Sequence, residues 1–244
     1  MEHRDLLCPG GYHILYDDAL FRPGTDSFLL SSLPKLKAGL QVCDLGSGTG
    51  LLGLLLLQRQ KELRITGVEL SAQAAAVADR CAAENGLMDR LTTLRGDLRD
   101  IRQLLPANGF DLVVSNPPYF STQGGKLSDS PALQAARAEL TCTVEDLCTA
   151  AAWLLRWGGS FCLVHRPDRL TDLLCALRAA ALEPKRLRLV CKRPEAAPSL
   201  VLIEARRGGK PGLTIEAPLI LQTPEGSPTE ELDRIYFRFE EDRP

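Results

Sequence analysis

From residue 40 onward, short apolar runs alternate with longer segments whose apolar positions recur every three or four residues. Leu40–Leu45, Arg64–Glu69, Leu91–Arg95, Phe110–Ser115 and Ser160–His165 read as buried strands. Between and after them the spacing predicts helices over 51–60, 72–85, 98–105, 132–157 and 168–181, with Asn85-Gly86 and Gly158-Gly159 as stop signals. Two more strands, Lys185–Lys192 and Leu200–Arg206, close the series. Five β/α units and a terminal pair predict an α/β fold, a doubly wound, mostly parallel, seven-stranded sheet with helices on both faces.

The flanks break this rhythm. Residues 8–24 are turn-rich and partly alternating, as in a small hairpin or flap, and Thr25 or Asp26 is placed to cap a helix that starts with Ser27-Phe28-Leu29-Leu30. Residues 208–228, with their Gly and Pro, read as a surface excursion before a final helix from Thr229. The expected division is therefore 1–36, a hairpin and helix over the site; 37–207, the sheet domain; and 208–244, a C-terminal extension. Trp153 and Trp157, four apart on the expected helix, are expected to pack into the core, and His165 to end a strand.

Composition narrows the classes. A net charge of −2 with a quarter of residues charged excludes a uniformly basic nucleic-acid binder, so any such contact needs a local patch. Eight cysteines without a Cys-x-x-Cys pair, and three histidines, argue for buried thiols in a reducing cytoplasm rather than a zinc site or disulfide frame. No signal peptide is read at the acidic N-terminus, and the longest apolar run, Leu51–Leu57, is too short to span a bilayer; neither membrane nor metal is expected.

Candidate chemistry gathers at the carboxyl ends of the strands. The first strand runs into Gly46-Ser47-Gly48-Thr49-Gly50, a turn that lets a ligand approach the backbone at a helix's positive end. Leu51 stands where a dinucleotide fingerprint needs its third glycine, and Asp44 ahead of the turn would repel a pyrophosphate. That acid suits an ammonium group, such as the methionine end of S-adenosylmethionine. Glu69 ends the next strand, where such folds bind ribose hydroxyls, and Asp97 can accept from an adenine amine or cap the helix after it. Strand Phe110–Ser115 delivers Asn116-Pro117-Pro118-Tyr119. The prolines force an extended path without backbone donors. Asn116 and the Pro117 carbonyl then offer two adjacent acceptors for an amine with two N–H groups, and Tyr119 offers a flat face for a planar substrate.

The core from Asp44 to Tyr119 resembles the class I S-adenosylmethionine-dependent methyltransferases, in the branch that methylates planar-bound exocyclic or amide nitrogens. Nearly the whole chain is similar to the bacterial tRNA1(Val) adenosine N6-methyltransferases: the supporting residues are Phe21-Arg22-Pro23-Gly24-Thr25-Asp26 with Leu29-Leu30, Arg137-Ala138-Glu139, Leu202–Ala205 and Gly208–Leu213. The resemblance implies the Rossmann-like form of the sheet with its last strand antiparallel, S-adenosylmethionine as cofactor, and methylation of the adenosine immediately 3′ of the anticodon of a valine tRNA. It adds Thr25, Asp26, Leu70, Leu98 and Asn116 to the cofactor set of Asp44, Gly46, Ser47, Gly48, Thr49, Gly50, Glu69 and Asp97. On the substrate side it implies Arg22, Tyr119, Phe120, Lys126 and Arg137, with Asn116, Pro117 and Tyr119 as the catalytic group. The chain departs from the family pattern at Ala138, where a histidine is expected, and near Asp129-Ser130-Pro131, where an asparagine is.

Two other classes share these residues. A glutamine N5-methyltransferase acting on a release factor, or another rRNA or DNA amino-methyltransferase, would use the same Asn-Pro-Pro motif. Only about forty residues precede the cofactor strand, however, leaving no room for the release-factor enzymes' helical recognition domain. A noncatalytic binding module would have no physical need of Asn116. For RNA phosphates the basic candidates are Lys185, Arg186, Arg188, Lys192 and Arg193 in one cluster, and Arg206, Arg207 and Lys210 in another.

Overall fold

The structure, a computed structural model, describes residues 2–17, 24–118 and 142–238. A hairpin of β1 (Glu2–Leu6) and β2 (His13–Asp17) comes first, followed by the short helix α1 (Thr25–Ser31). The alternation then runs β3 (Gln41–Leu45), α2 (Leu51–Arg59), β4 (Arg64–Glu69), α3 (Ala72–Glu84) and β5 (Leu91–Arg95). It continues with α4 (Ile101–Leu104), β6 (Phe110–Ser115), α5 (Val144–Leu154), β7 (Leu155–His165), α6 (Leu170–Ala179), β8 (Leu182–Cys191) and β9 (Pro198–Arg207). Two-residue strands β10 (Thr214–Ile215) and β11 (Leu219–Ile220) and helix α7 (Glu230–Ile235) end the described chain.

The sheet is in order β8-β9-β7-β6-β3-β4-β5 with β10 and β11 both pairing along β8, nine strands rather than the seven expected. β3 to β7 are mutually parallel, and β9 is antiparallel to both β7 and β8. The two added strands come from residues read as a surface excursion: two-residue strands carry too little pattern to be seen, yet they cover the edge that β8 would otherwise expose. Apolar side chains fill both faces, Leu54–Leu57 of α2 and Cys81 of α3 on one, Leu147, Leu154 and Leu177 of α5 and α6 on the other. Hairpin β1–β2 packs on α3, where Asn85 accepts from His13 N–H at 2.8 Å and donates to its carbonyl at 2.8 Å.

Three further expectations fail locally. The helix expected to run to Trp157 ends at Leu154, and β7 begins at once; a bulge between the Phe110 and Leu112 pairings absorbs residues 156–159, with Gly158 at φ +80°. Trp153 stays on the helix, its indole N–H on the Leu105 carbonyl, but Trp157 is 75 % exposed and lies flat on Gly208, where a Cβ would come within 2.2 Å of the ring. Neither Thr25 nor Asp26 caps α1: Gly24 holds the N-cap position, and the two side chains begin the helix instead.

Candidate active site

Strand order reverses at β3, which has β4 on one side and β6 on the other, so a crevice opens at the carboxyl ends of these strands. Asp44 pairs with Val114, two residues before Asn116, and the Ser115 hydroxyl donates to the Leu45 carbonyl at 2.7 Å. One hydrogen-bonded strand pair therefore joins the acid ahead of the glycine turn to the Asn-Pro-Pro segment.

The turn follows from its residues. Gly46, Gly48 and Gly50 have φ of +75°, +55° and +83°, and the N–H groups of Gly46 and Ser47 are pinned to the Val68 carbonyl. Glu69 braces it from below: one carboxylate oxygen accepts from Gly48 N–H at 2.8 Å, the other from Ser71 N–H at 2.7 Å. Each oxygen keeps a second lone pair, so this bracing is compatible with receiving ribose hydroxyls. Gly67, in the middle of β4, was not singled out from the sequence, yet a Cβ there would fall 2.6 Å from Ser47 Oγ. Ser47 is buried against it with no partner for its hydroxyl.

Asp44 is 2 % exposed, and its Oδ2 has no hydrogen-bond partner. Burial, and secondarily the charge of Glu69, push its carboxyl up to about 8. Two orphaned polar atoms beside a glycine turn fit a ligand that brings a cation and hydrogen-bonding groups, and the residues suit the methionine end of S-adenosylmethionine. Leu70, 36 % exposed after β4, and half-buried Leu98 offer apolar surface on the same side.

Asp97 is the least expected. Its carboxylate accepts from Arg99 N–H at 2.9 Å, as a cap, and is also gripped by the Arg99 guanidinium, which holds it below the usual carboxylate range. The structure thus shows the capping role, one of the two read from the sequence, with a cation on the carboxylate that the other reading offers to an adenine amine.

Asn116 is half-buried just past β6, and its Nδ2 donates to Ser27 Oγ of α1 at 3.1 Å. Thr25 accepts from the Tyr236 hydroxyl at 3.1 Å, and Asp26 is half-buried on the first turn. Arg22, Tyr119, Phe120, Lys126 and Arg137, with the departure at Ala138, lie outside the described residues. Ser27, Gly67 and Arg99 are the residues that sequence reasoning missed. Only Ser27 left a signal: a polar side chain beside the apolar Phe28-Leu29-Leu30 must bury or face water, and a buried hydroxyl needs a partner.

Two of the five residues of the first basic cluster are ion-paired. Arg186 bridges Glu204 and Glu216, both at 2.7 Å, and Arg188 makes a bidentate pair with Glu231. Among the described residues, no group of three or more His, Cys, Asp or Glu is arranged to hold a metal, and no helix is long and apolar enough to cross a membrane.

Residues 21–174 match the methyltransferase small domain. The chain is 35 % identical over 193 residues, 76 % of its length and 74 % of the other's, to the tRNA1(Val) (adenine(37)-N6)-methyltransferase of Porphyromonas gingivalis. It is 33 % identical over 234 residues, 93 % of its length and 94 % of the other's, to the enzyme of that name from Tolumonas auensis. Among solved structures, a "predicted O-methyltransferase" from Agrobacterium tumefaciens superposes with a TM-score of 0.73 at 24 % identity, over 88 % of this chain and 96 % of that one.

Proposed function

The chain belongs to the tRNA1(Val) (adenine(37)-N6)-methyltransferase family, within the methyltransferase small-domain group, and from that membership we propose how its residues carry out the reaction. It is an S-adenosylmethionine-dependent enzyme that methylates N6 of an adenosine in valine tRNA. The modified adenosine is position 37, 3′ of the anticodon, and the enzyme works in the cytoplasm, a reducing compartment that suits its eight cysteines. Full-length similarity to this family removes the ground for the glutamine N5 reading.

The observation that carries the mechanism is the pairing of β3 with β6, which puts Asp44 one strand from Asn116. S-adenosylmethionine supplies a methyl group already activated on a sulfonium. Asp44 meets the cofactor's ammonium, the turn Gly46–Gly50 receives its chain with Ser47 and Thr49, and Glu69 takes the ribose hydroxyls. Asn116 Oδ1 and the Pro117 carbonyl accept the two N6–H bonds of adenine. This turns the nitrogen lone pair out of conjugation and toward the methyl, while Tyr119 stacks on the base to fix the line of transfer. Pro117 and Pro118 carry no N–H that could compete for those acceptors. No strong base is required: most of the acceleration comes from positioning and exclusion of water, and the one proton that the methylated nitrogen then carries in excess is acidic enough to leave to solvent. An anticodon-loop adenosine is outside a duplex, so extruding it costs little.

The test is methyl transfer from labelled S-adenosylmethionine to total tRNA, total ribosomal RNA and purified release factors, with digestion and mass spectrometry. N6-methyladenosine in a valine tRNA fragment spanning the anticodon loop is expected; label on glutamine or on ribosomal RNA overturns the substrate. With that substrate in hand, Asn116→Ala should cut kcat by a hundredfold or more, on the order of a lost positioning contact in the transition state, and leave cofactor affinity unchanged. Unimpaired turnover would remove Asn116 from the mechanism.

A further inference from the structure

Asn116 stands between two different neighbours. β3 pairs along one side of β6 and carries Asp44 and the glycine turn, while β7 pairs along the other and ends at His165. With the cofactor seated on the β3 side, the rest of a nucleotide whose base reaches Asn116 has the β7 side to lie on.

The register says which residue it meets there. Ser115 pairs with Leu163, so Asn116 stands level with Val164, and Arg166 lies two residues beyond. Val114 and Val164 belong to the apolar cluster beneath α1 and α2, Val113 and Leu163 to the opposite one. Alternation therefore carries Asn116 and Arg166 to the same face, and the contact of Asn116 with Ser27 of α1 agrees. Arg166 keeps the extended path, at φ −77° and ψ 143°, so the alternation holds through it. One strand across and two residues on, its Cα is about 8 Å from that of Asn116, comparable to the span of one nucleotide.

The backbone of Arg166 is fixed, and its side chain is lightly held. Its N–H donates to Nδ1 of His165 at 2.8 Å, a residue only 6 % exposed, and Pro167 follows. Burial pushes the His165 imidazole below its ordinary pKa, which keeps Nδ1 unprotonated as that acceptor requires. The guanidinium reaches Asp168 at 3.3 Å with both side chains more than half exposed, an ion pair that contributes little and exchanges easily. Arg186 and Arg188, by contrast, are held in shorter and less exposed pairs.

We propose that Arg166 is a substrate-binding residue, whose guanidinium takes a backbone phosphate at or next to the adenosine received by Asn116. This rests on the tRNA substrate and the role of Asn116 given above. A planar fork of N–H donors suits a phosphate, and β6 separates this cation from the positive charge of the cofactor.

Steady-state kinetics with full-length valine tRNA at several salt concentrations tests this. Arg166→Ala should raise KM for tRNA roughly three- to tenfold and flatten the salt dependence of binding by about one counterion. The loss should fall on KM rather than kcat, with cofactor affinity and Tm constant. Arg166→Lys keeps the charge and should recover part of the loss, and Asp168→Asn, which frees the guanidinium, should not raise KM. Arg178 is the matched control: it is more exposed still, also meets its partner Glu183 loosely, at 3.4 Å, and lies in the last turn of α6 at the other end of the sheet. Arg178→Ala should leave KM and the salt slope at the wild-type values. If Arg166→Ala leaves both unchanged, or if Arg178→Ala matches it, Arg166 is an ordinary surface charge and the proposal fails. If the wild-type enzyme transfers no methyl group to valine tRNA, the substrate reading under Proposed function fails first, and this inference with it.

Discussion

A carboxyl group that keeps its proton to about pH 8 is unusual at the mouth of a cofactor site, and Asp44 is one because burial leaves it nothing to ionise against. Its ordinary value is 3.8, so between pH 4 and pH 8 the folded chain holds a proton that the unfolded chain has released. Raising the pH through that window therefore weakens Asp44's contribution to stability, and a cation bound beside it reverses the sign. Binding S-adenosylmethionine at pH 7 should then release close to one proton. Calorimetry in two buffers of different ionisation enthalpy would read this directly, and affinity should rise by up to about tenfold per pH unit from 6 toward 8. Asp44→Asn should bind more weakly and show no buffer dependence. A wild-type enthalpy independent of buffer would mean that Asp44 is ionised before the cofactor arrives. At this scale the placement of Asp44, Glu69 and Asn116 at the carboxyl ends of strands was legible in the sequence, because periodicity reveals where a strand ends. The Arg99 grip on Asp97 and the Ser27 bond to Asn116 were not: the first depends on a side-chain torsion, the second on a contact across 89 positions.

Helix α1 shows what patterns within one element leave out. Its existence, and its buried Phe28-Leu29-Leu30, follow from the sequence; its start at Thr25 and what it packs against do not, because Gly24 holds the cap and Tyr236 and Arg59 reach it from other elements. Residues 208–238 look like a polar appendage, yet they cover the β8 edge and clamp α1. Tyr236→Ala should consequently act twice. Loss of the stacked ring should destabilise the chain by about 2 kcal/mol, a fall of roughly 4–8 °C in Tm for a chain of this size. Below the transition kcat should also fall several-fold, because α1 no longer holds Ser27, a partner of Asn116, firmly. Tyr236→Phe, which keeps the stack and loses only the bond to Thr25, should stay within about 1 kcal/mol of wild type and retain most turnover. Thermal melts with turnover measured well below Tm separate the two effects. A Tyr236→Ala enzyme with reduced Tm and full kcat would confine the C-terminal segment to a structural role.

At the scale of the whole molecule, topology divides the basic residues where sequence could only cluster them. β8 runs parallel to β7, and Leu189 and His165 share the partner Val201, so Lys192 and Arg193 emerge beyond Cys191 at the end of the sheet where Asn116 lies. Arg206 pairs with Ser160, itself level with Leu112, four residues short of Asn116 and about 13 Å down the strands; Gly208 to Lys210 lie further on. Arg186 and Arg188, between these ends, already face carboxylates, and stripping Glu216 or Glu231 from them for a phosphate would sacrifice existing ion pairs. A tRNA that puts its anticodon loop over Asn116 meets the Lys192-Arg193 turn before it can meet Arg206. Charge reversal of Lys192 and Arg193 together should raise KM for tRNA several-fold and flatten the salt dependence of binding by up to two released counterions, while reversal of Arg206 should change neither. Cofactor affinity, measured in parallel, should be constant across both variants, since neither cluster borders the glycine turn. Equal losses from the two reversals would require the RNA to wrap around the β9 side of the sheet, and would make the recognition surface far larger than the crevice end alone.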